Sequence, residues 1–224
     1  MNALDASQAG PPARHAATVV VAREADNELE VLLLKRSAVG AFAGMWVFPG
    51  GRVDDDEAGD DELGRARSAA IREAAEEAGL TIAPEALVTL SHWTPPAASP
   101  VRFTTWFFVA PWSGQPVVID DHEIVEARWI TAREAIAAAL PMAPPTLVTV
   151  SLLATTGSFA GLHDWIAAHG VERFETVLGR HEGEVIAMWA SDAGYATADP
   201  AVPGRRHRLV MRDGVASSYE RSDG

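Results

Sequence analysis

The segment Arg72-Glu73-Ala74-Ala75-Glu76-Glu77-Ala78-Gly79-Leu80 restricts this chain more than any other. Apart from Gly64 and Ser68, residues 63–78 are Ala, Leu, Arg, Glu and Ile, good helix material, and Gly79 supplies the C-terminal stop. At about 100° per residue, Glu73, Glu76 and Glu77 fall within one arc of about 100°, with Ile71, Ala74, Ala75 and Ala78 opposite. Arg72 precedes Glu76 by one turn and can pair with it. The last turn of a helix faces the negative end of its dipole and prefers Lys or Arg. Here two glutamates fill it, and Glu73 and Glu77 repel each other at i, i+4. A cation in front of the helix end resolves both conflicts; an ordinary solvated face is the alternative. The donors are all carboxylate oxygens, which suit Mg²⁺ or Mn²⁺ rather than Zn²⁺.

The elements around this helix define a fold class. Strand-like runs are predicted at 16–23 and 29–35, joined across 24–30 as a hairpin containing Asn27. Trp46-Val47-Phe48 follows, ending in the turn signal Pro49-Gly50-Gly51. After the helix come strands at 86–93, 102–110 and 126–130, then a helix at 132–140 with Thr131 as its N-cap. The order β-β-β-α-β-β-β-α favours a mixed sheet flanked by helices over a doubly wound nucleotide fold. Beyond Pro141, two apolar helices are expected at 146–160 and 161–169, and strands at 183–190 and 207–217 with a turn at Asp213-Gly214. The expected organisation is a flexible tail at 1–14, a catalytic domain at 15–141, and an extension at 142–224 that packs on the core or on a second subunit as a homodimer.

Charge excludes one class of partner. Thirty-one Asp and Glu stand against 18 Lys and Arg, a net charge of -13, the opposite of what a nucleic-acid clamp needs. The densest basic run, Arg205-Arg206-His207-Arg208, falls on an expected loop and strand rather than a recognition helix. Cysteine is absent, which removes thiolate metal sites, disulfides and thiol nucleophiles. No apolar run approaches 18 residues and residues 1–14 lack the core of a signal peptide, so a cytoplasmic protein without a membrane partner is expected.

Gly51-x5-Glu57 followed by Arg72-Glu73-Ala74-Ala75-Glu76-Glu77-Ala78-Gly79-Leu80 closely resembles the Nudix box, G-x5-E-x7-R-E-U-x-E-E-x-G-U, and Trp46–Gly51 is similar to that family's usual lead-in. Two departures stand out. Ala74 replaces a bulky aliphatic, and fourteen residues rather than seven separate Glu57 from Arg72, which leaves the position of Glu57 open. The resemblance implies an α/β/α sandwich with a mixed sheet. It also implies Mg²⁺- or Mn²⁺-dependent hydrolysis of a nucleoside diphosphate linked to another group. Glu73, Glu76 and Glu77 would be the core metal ligands, the Gly51 carbonyl and Glu57 would complete the shell, and Arg72 would orient the carboxylates. Glu123, in the loop before Trp129, is the candidate second acid. Arg36 and Arg102 are candidates for contacting phosphate, and Trp93 for stacking on a base.

The substrate signals divide. Leu33–Ser37 and Gly44-x3-Phe48-Pro49-Gly50-Gly51 partly resemble a coenzyme A diphosphatase signature, although the Arg expected between them is missing. The long box and Leu140–Thr146 are similar to the branch containing the mammalian peroxisomal enzyme. These favour coenzyme A or acyl-coenzyme A. Pro95 and Pro96, shortly after the box, favour ADP-ribose or another nucleotide sugar. A catalytically silent Nudix fold that only binds its ligand is the third reading.

Overall fold

The computed structural model describes residues 12–26, 28–40, 42–97, 99, 102–212 and 214–222. Residues 1–11 of the expected tail and Asp213 of the expected turn lie outside them, as does Asn27 of the first hairpin. Arg14, assigned from the sequence to the tail, is the first residue of a strand.

Strands β1 (Arg14–Ala25), β2 (Glu28–Arg36), β3 (Trp46–Val47) and β4 (Gly50–Arg52) precede helix α1 (Glu62–Ala78). Strands β5 (Val88–Thr94), β6 (Phe103–Pro111) and β7 (Ile124–Thr131) lead to α2 (Ala132–Ala137), α3 (Pro144–Thr156) and α4 (Phe159–His169). Then follow β8 (Glu172–Glu175), β9 (Val177–His181), β10 (Glu184–Met188), β11 (His207–Arg212) and β12 (Val215–Arg221).

Eight strands form a mixed sheet in the order β3-β2-β1-β6-β5-β8, with β4 on β1 and β7 on β2. The β1–β6 and β5–β8 pairs are parallel and the others antiparallel. Alternation along β1 and β2 divides the core between the two faces. Ala17, Val19, Val21, Leu32 and Leu34 pack with Ala66, Ala69, Ala70 and Ala74 of α1. Val20, Ala22, Leu29, Val31 and Leu33 pack with Leu147, Val148, Val150 and Leu153 of α3 and with Ala187, Trp189 and Leu209 of the C-terminal strands. The small side chains of α1 let that helix lie close to the sheet. The mixed sheet flanked by helices is the architecture expected from the order of elements.

Local chemistry corrects several boundaries. Gly50 and Gly51 are strand residues opposite Thr18 and Ala17, not a turn. The two apolar helices part at Gly157 (φ 69°) and Ser158, whose side chain caps α4 by accepting from Gly161 N–H at 3.1 Å, rather than at 160/161. Thr131 caps α2 in a reciprocal box with Glu134, and α2 ends three residues earlier than expected. Strands β8 and β9 were not expected from the sequence. β8 joins the main sheet beside β5, and β9–β12 form a second, antiparallel sheet in the order β12-β11-β10-β9. Among the described residues, no single helix is long and apolar enough to cross a membrane; α3 and α4 are apolar together but meet at a 110° bend.

Candidate active site

β4 brings the backbone up to the end of α1. A Cβ on Gly50 would lie 2.5 Å from the Ala17 carbonyl oxygen, and one on Gly51 would lie 2.3 Å from Glu73 Oε1. Both glycines are required for space, because the strand passes between β1 and the carboxylates of the helix.

Asp61 starts α1 by accepting from Gly64 N–H at 2.7 Å, and Gly79 ends it in the left-handed conformation at φ 67°. The buried face of the helix is Ala66, Ala69, Ala70, Ala74, Glu77 and Ala78. Ala75 is exposed, so the buried arc is rotated from the one expected and includes a carboxylate. That inclusion is possible because Glu77 meets β4 backbone: Oε2 accepts from Gly50 N–H at 2.9 Å and Oε1 from Arg36 Nη1 at 3.3 Å. Burial, opposed only in part by these two partners, pushes the Glu77 carboxyl up to about 7. Burial also raises Glu73, against the pull of Arg72.

Arg72 gathers the remaining box acids. Its Nη1 donates to Glu73 Oε1 at 2.9 Å and to Glu76 Oε2 at 3.0 Å, while Nε and Nη2 donate to Glu57 Oε2 at 3.2 and 3.1 Å. Nη2 also reaches the Arg52 carbonyl at 2.9 Å. Burial would lower the Arg72 pKa, but Glu73 and Glu57 outweigh it and raise it further, so the guanidinium stays charged. The long spacing between Glu57 and Arg72 therefore leaves the two in contact. Most of it is helix, residues 62–71, and seven added residues are two turns to within about 20°, so Arg72 keeps its face.

The second cluster comes from neighbouring strand ends. Arg36 closes β2 and Glu123 immediately precedes β7, its antiparallel partner. Arg36 Nη2 donates to Glu123 Oε2 at 2.7 Å, so one guanidinium bridges Glu123 and Glu77. Arg36 Nε is buried and has no hydrogen-bond partner among the described residues. The loop is set by Asp120, which accepts from the backbone N–H groups of Ile124, Glu123 and His122 at 2.9, 3.1 and 3.3 Å. Burial acts against them, but these three donors hold Asp120 below the usual carboxylate range. His122 is exposed at the surface.

Glu73, Glu76, Glu77, Glu123, Arg36 and Gly51 line one end of a cavity of about 750 Å³. Glu57 and Arg72 lie behind this lining. Arg102 precedes β6 outside the lining, while Phe103 and Thr105 face the cavity. Trp93 borders the cavity as part of its apolar wall, nearly buried, with its ring stacked on Phe174 at 3.8 Å and its Nε1 donating to Ser91. Several lining residues were missed from sequence: Phe42, Phe103, Pro144, Pro145, Leu178, Ala187, Trp189 and Met211. The apolar run at 185–190, expected as part of a strand, was the one local signal for part of this set.

The donor set fits a hard divalent cation: carboxylate oxygens, a glycine backbone pressed against Glu73, and no Cys or His among the described residues of the cavity lining. Among the described residues no three carboxylates or imidazoles converge on one point. The guanidinium groups of Arg72 and Arg36 take the bridging positions instead.

The family model for the NUDIX domain matches residues 13–150. Among solved structures, the fold is similar to a Nudix hydrolase from Alicyclobacillus acidocaldarius (25% identity, 68% of this chain and 96% of that one, TM-score 0.59). It is also similar to the Nudix domain of Shewanella oneidensis NrtR, solved in complex with ADP ribose (19% identity, 65% and 88%, TM-score 0.52). A MutT Nudix hydrolase from Burkholderia pseudomallei gives 22% identity, 63% and 98% coverage, and a TM-score of 0.51. Among curated proteins, none matches the chain in sequence.

Proposed function

This chain belongs to the Nudix family of hydrolases, which act on a nucleoside diphosphate linked to another moiety, and from that premise we propose that its substrate is coenzyme A or acyl-coenzyme A, cut at the diphosphate. The observation that carries this reading is the two-ended cavity: carboxylates at one end, an apolar wall of Trp93, Phe103, Leu178, Trp189 and Met211 at the other. Its volume of about 750 Å³ lies in the range of sites that bury a cofactor-sized ligand. An acylated pantetheine chain leaves few polar groups to satisfy against these apolar residues, whereas the hydroxyls of a second ribose need partners, which the bordering Thr18, Thr94, Thr105 and Thr176 would have to supply. The specific observation favouring ADP-ribose is that Pro95 and Pro96 also border the cavity; it is the ligand of the Shewanella domain. The full set of box acids speaks against a silent fold.

In this reading Glu73, Glu76, Glu77 and the Gly51 carbonyl hold Mg²⁺ or Mn²⁺. When bound, the ion polarises phosphoryl oxygens and makes water more acidic. Arg72, shared by Glu57, Glu73 and Glu76, fixes carboxylate orientation. Arg36 positions phosphate, and Glu123, exposed on its loop and tethered by Arg36, is the general base.

The test is hydrolysis of coenzyme A, acyl-coenzyme A, ADP-ribose, NADH, dinucleoside polyphosphates and nucleoside triphosphates, scored by nucleotide and phosphate products. Coenzyme A compounds are expected to lead. Preferred turnover of ADP-ribose replaces this substrate assignment, and no turnover of any compound supports the silent fold. Chelation is expected to stop hydrolysis, and added Mg²⁺ or Mn²⁺ to restore it; activity that survives chelation overturns the metal assignment. The two glycines are expected to separate. Gly51→Ala pushes the carboxylate of Glu73 aside and lowers kcat/KM by about a hundredfold with the fold retained. In Gly50→Ala the new Cβ meets the fixed Ala17 carbonyl, and the thermal midpoint falls.

A further inference from the structure

Beside Trp93 and Phe103, the wall opposite the carboxylates is completed by residues beyond the segment matched to the family, 13–150. In the small sheet Leu178 sits opposite Ala187, and Ala187 opposite Leu209, so all three share a face. Met211 lies two residues beyond Leu209, and Trp189 two beyond Ala187, continuing the ladder by donating its N–H to the His207 carbonyl at 3.0 Å. Leu178, Ala187, Trp189 and Met211 all reach the cavity, and none carries a charge.

The wall is held in place. Trp189 Nε1 donates to Thr176 Oγ1 at 3.0 Å, and its ring meets Trp93 and Phe174 edge-on at 5.5 and 5.4 Å. A preformed apolar surface loses little freedom on binding. Continuous with a carboxylate-lined end, it fits a molecule charged at one end and apolar at the other.

We infer that the inner face of this small sheet is the specificity element of the enzyme. It receives the acyl group that the substrate carries beyond its diphosphate, and Ala187 and Leu178 set the size of group accepted. This rests on the reading that the diphosphate lies at Glu73, Glu76 and Glu77. A methylene placed in an apolar pocket changes kcat/KM by about tenfold to two-hundredfold, so a chain-length series reads the wall directly.

The experiment compares kcat/KM for acetyl- and octanoyl-coenzyme A in the wild type, Ala187→Phe and Leu178→Ala. In parallel, the same esters, free coenzyme A and ADP-ribose compete with the dye 1-anilinonaphthalene-8-sulfonate under chelation. Octanoyl is expected to exceed acetyl by about tenfold or more, chiefly through KM, as for an interaction made equally in ground and transition states. Ala187→Phe and Leu178→Ala, one filling the wall and one eroding it, are expected to lower that ratio. The octanoyl ester is expected to displace the dye, and ADP-ribose to leave it bound. A flat chain-length profile, or a ratio that survives both substitutions, overturns the inference. If no coenzyme A compound is turned over, the substrate assignment fails separately, and the dye decides: displacement by the octanoyl ester alone supports the wall, and equal behaviour of all competitors overturns it.

Discussion

Glu77→Gln is expected to reduce hydrolysis by about a hundredfold to a thousandfold while the protein unfolds no more easily than the wild type. Glu77 is the box acid on the buried face of α1, 5% exposed, and its two short contacts reach Gly50 N–H and Arg36. A glutamine keeps the acceptor for Gly50 and removes the charge. The sign of the stability effect follows from burial, which lifts the carboxyl from 4.5 to about 7. An acid raised on folding stabilises the protein below its unfolded pKa, and that contribution is lost as pH rises through 7. Without a divalent ion, the wild type therefore loses stability between about pH 4.5 and 7 through this group, and Glu77→Gln does not. The ionised form is the one that ligates a cation, so ion binding releases a proton near neutral pH. Glu76→Gln is expected to lose hydrolysis as well, with little change in unfolding, because Glu76 is an exposed carboxylate on Arg72. Steady-state rates and thermal scans, with and without Mg²⁺, check both variants; full activity in the two together overturns the metal assignment.

The carboxylate end of the cavity was legible because its signal is local. Three glutamates before a glycine cap contradict the helix dipole within one turn and a half, and that contradiction needs no knowledge of the rest of the chain. The side of the helix that is buried was not legible. Alanines alone suggested an arc through Ala75, whereas Ala74 and Ala78 face the sheet and its strand β4 brings Gly50 N–H to Glu77 instead. The consequence of the long Glu57–Arg72 spacing was hidden for a related reason: whole helical turns keep a face, and loop residues do not. The apolar end was least legible. β8 and β9 are only four and five residues long, β8 has a glutamate at each end and β9 has a glycine at its centre, and too few positions alternate to signal a strand. Trp93 illustrates the limit. Its stacking partner, Phe174, arrives from β8 through the parallel pairing of β5 with β8, with Trp93 opposite Phe174. No local pattern announces a contact of that range.

Asp192→Asn is expected to destabilise the C-terminal sheet by about 3–5 kcal/mol, the cost of leaving one member of a buried ion pair without its partner. Arg208 of β11 donates to Asp192 from Nε at 2.7 Å and from Nη2 at 2.6 Å, and its Nη1 donates to the Pro200 carbonyl at 2.8 Å. Asp192 also accepts from His207 and Gly194 N–H at 2.9 and 2.8 Å, and both side chains are almost fully buried. The densest basic run of the chain thus spends one arginine on an internal fork that ties residues 192–200 to β11. Burial would raise the Asp192 carboxyl, but Arg208 and the two N–H donors hold it at about 2. A carboxyl depressed on folding stabilises above its unfolded pKa, so this contribution, about 2 kcal/mol, is intact above pH 4 and is lost between about 4 and 2. Denaturant unfolding at pH 7 and pH 2.5 is expected to show a large gap between wild type and Asp192→Asn at the higher pH and a smaller one at the lower. β11 carries Met211 of the cavity wall, while the carboxylates stand on α1, away from this fork. The variant is therefore expected to bind the anilinonaphthalene dye differently before hydrolysis of a short substrate is lost. Equal stability of the two proteins at pH 7 would show that the fork is not what holds the wall.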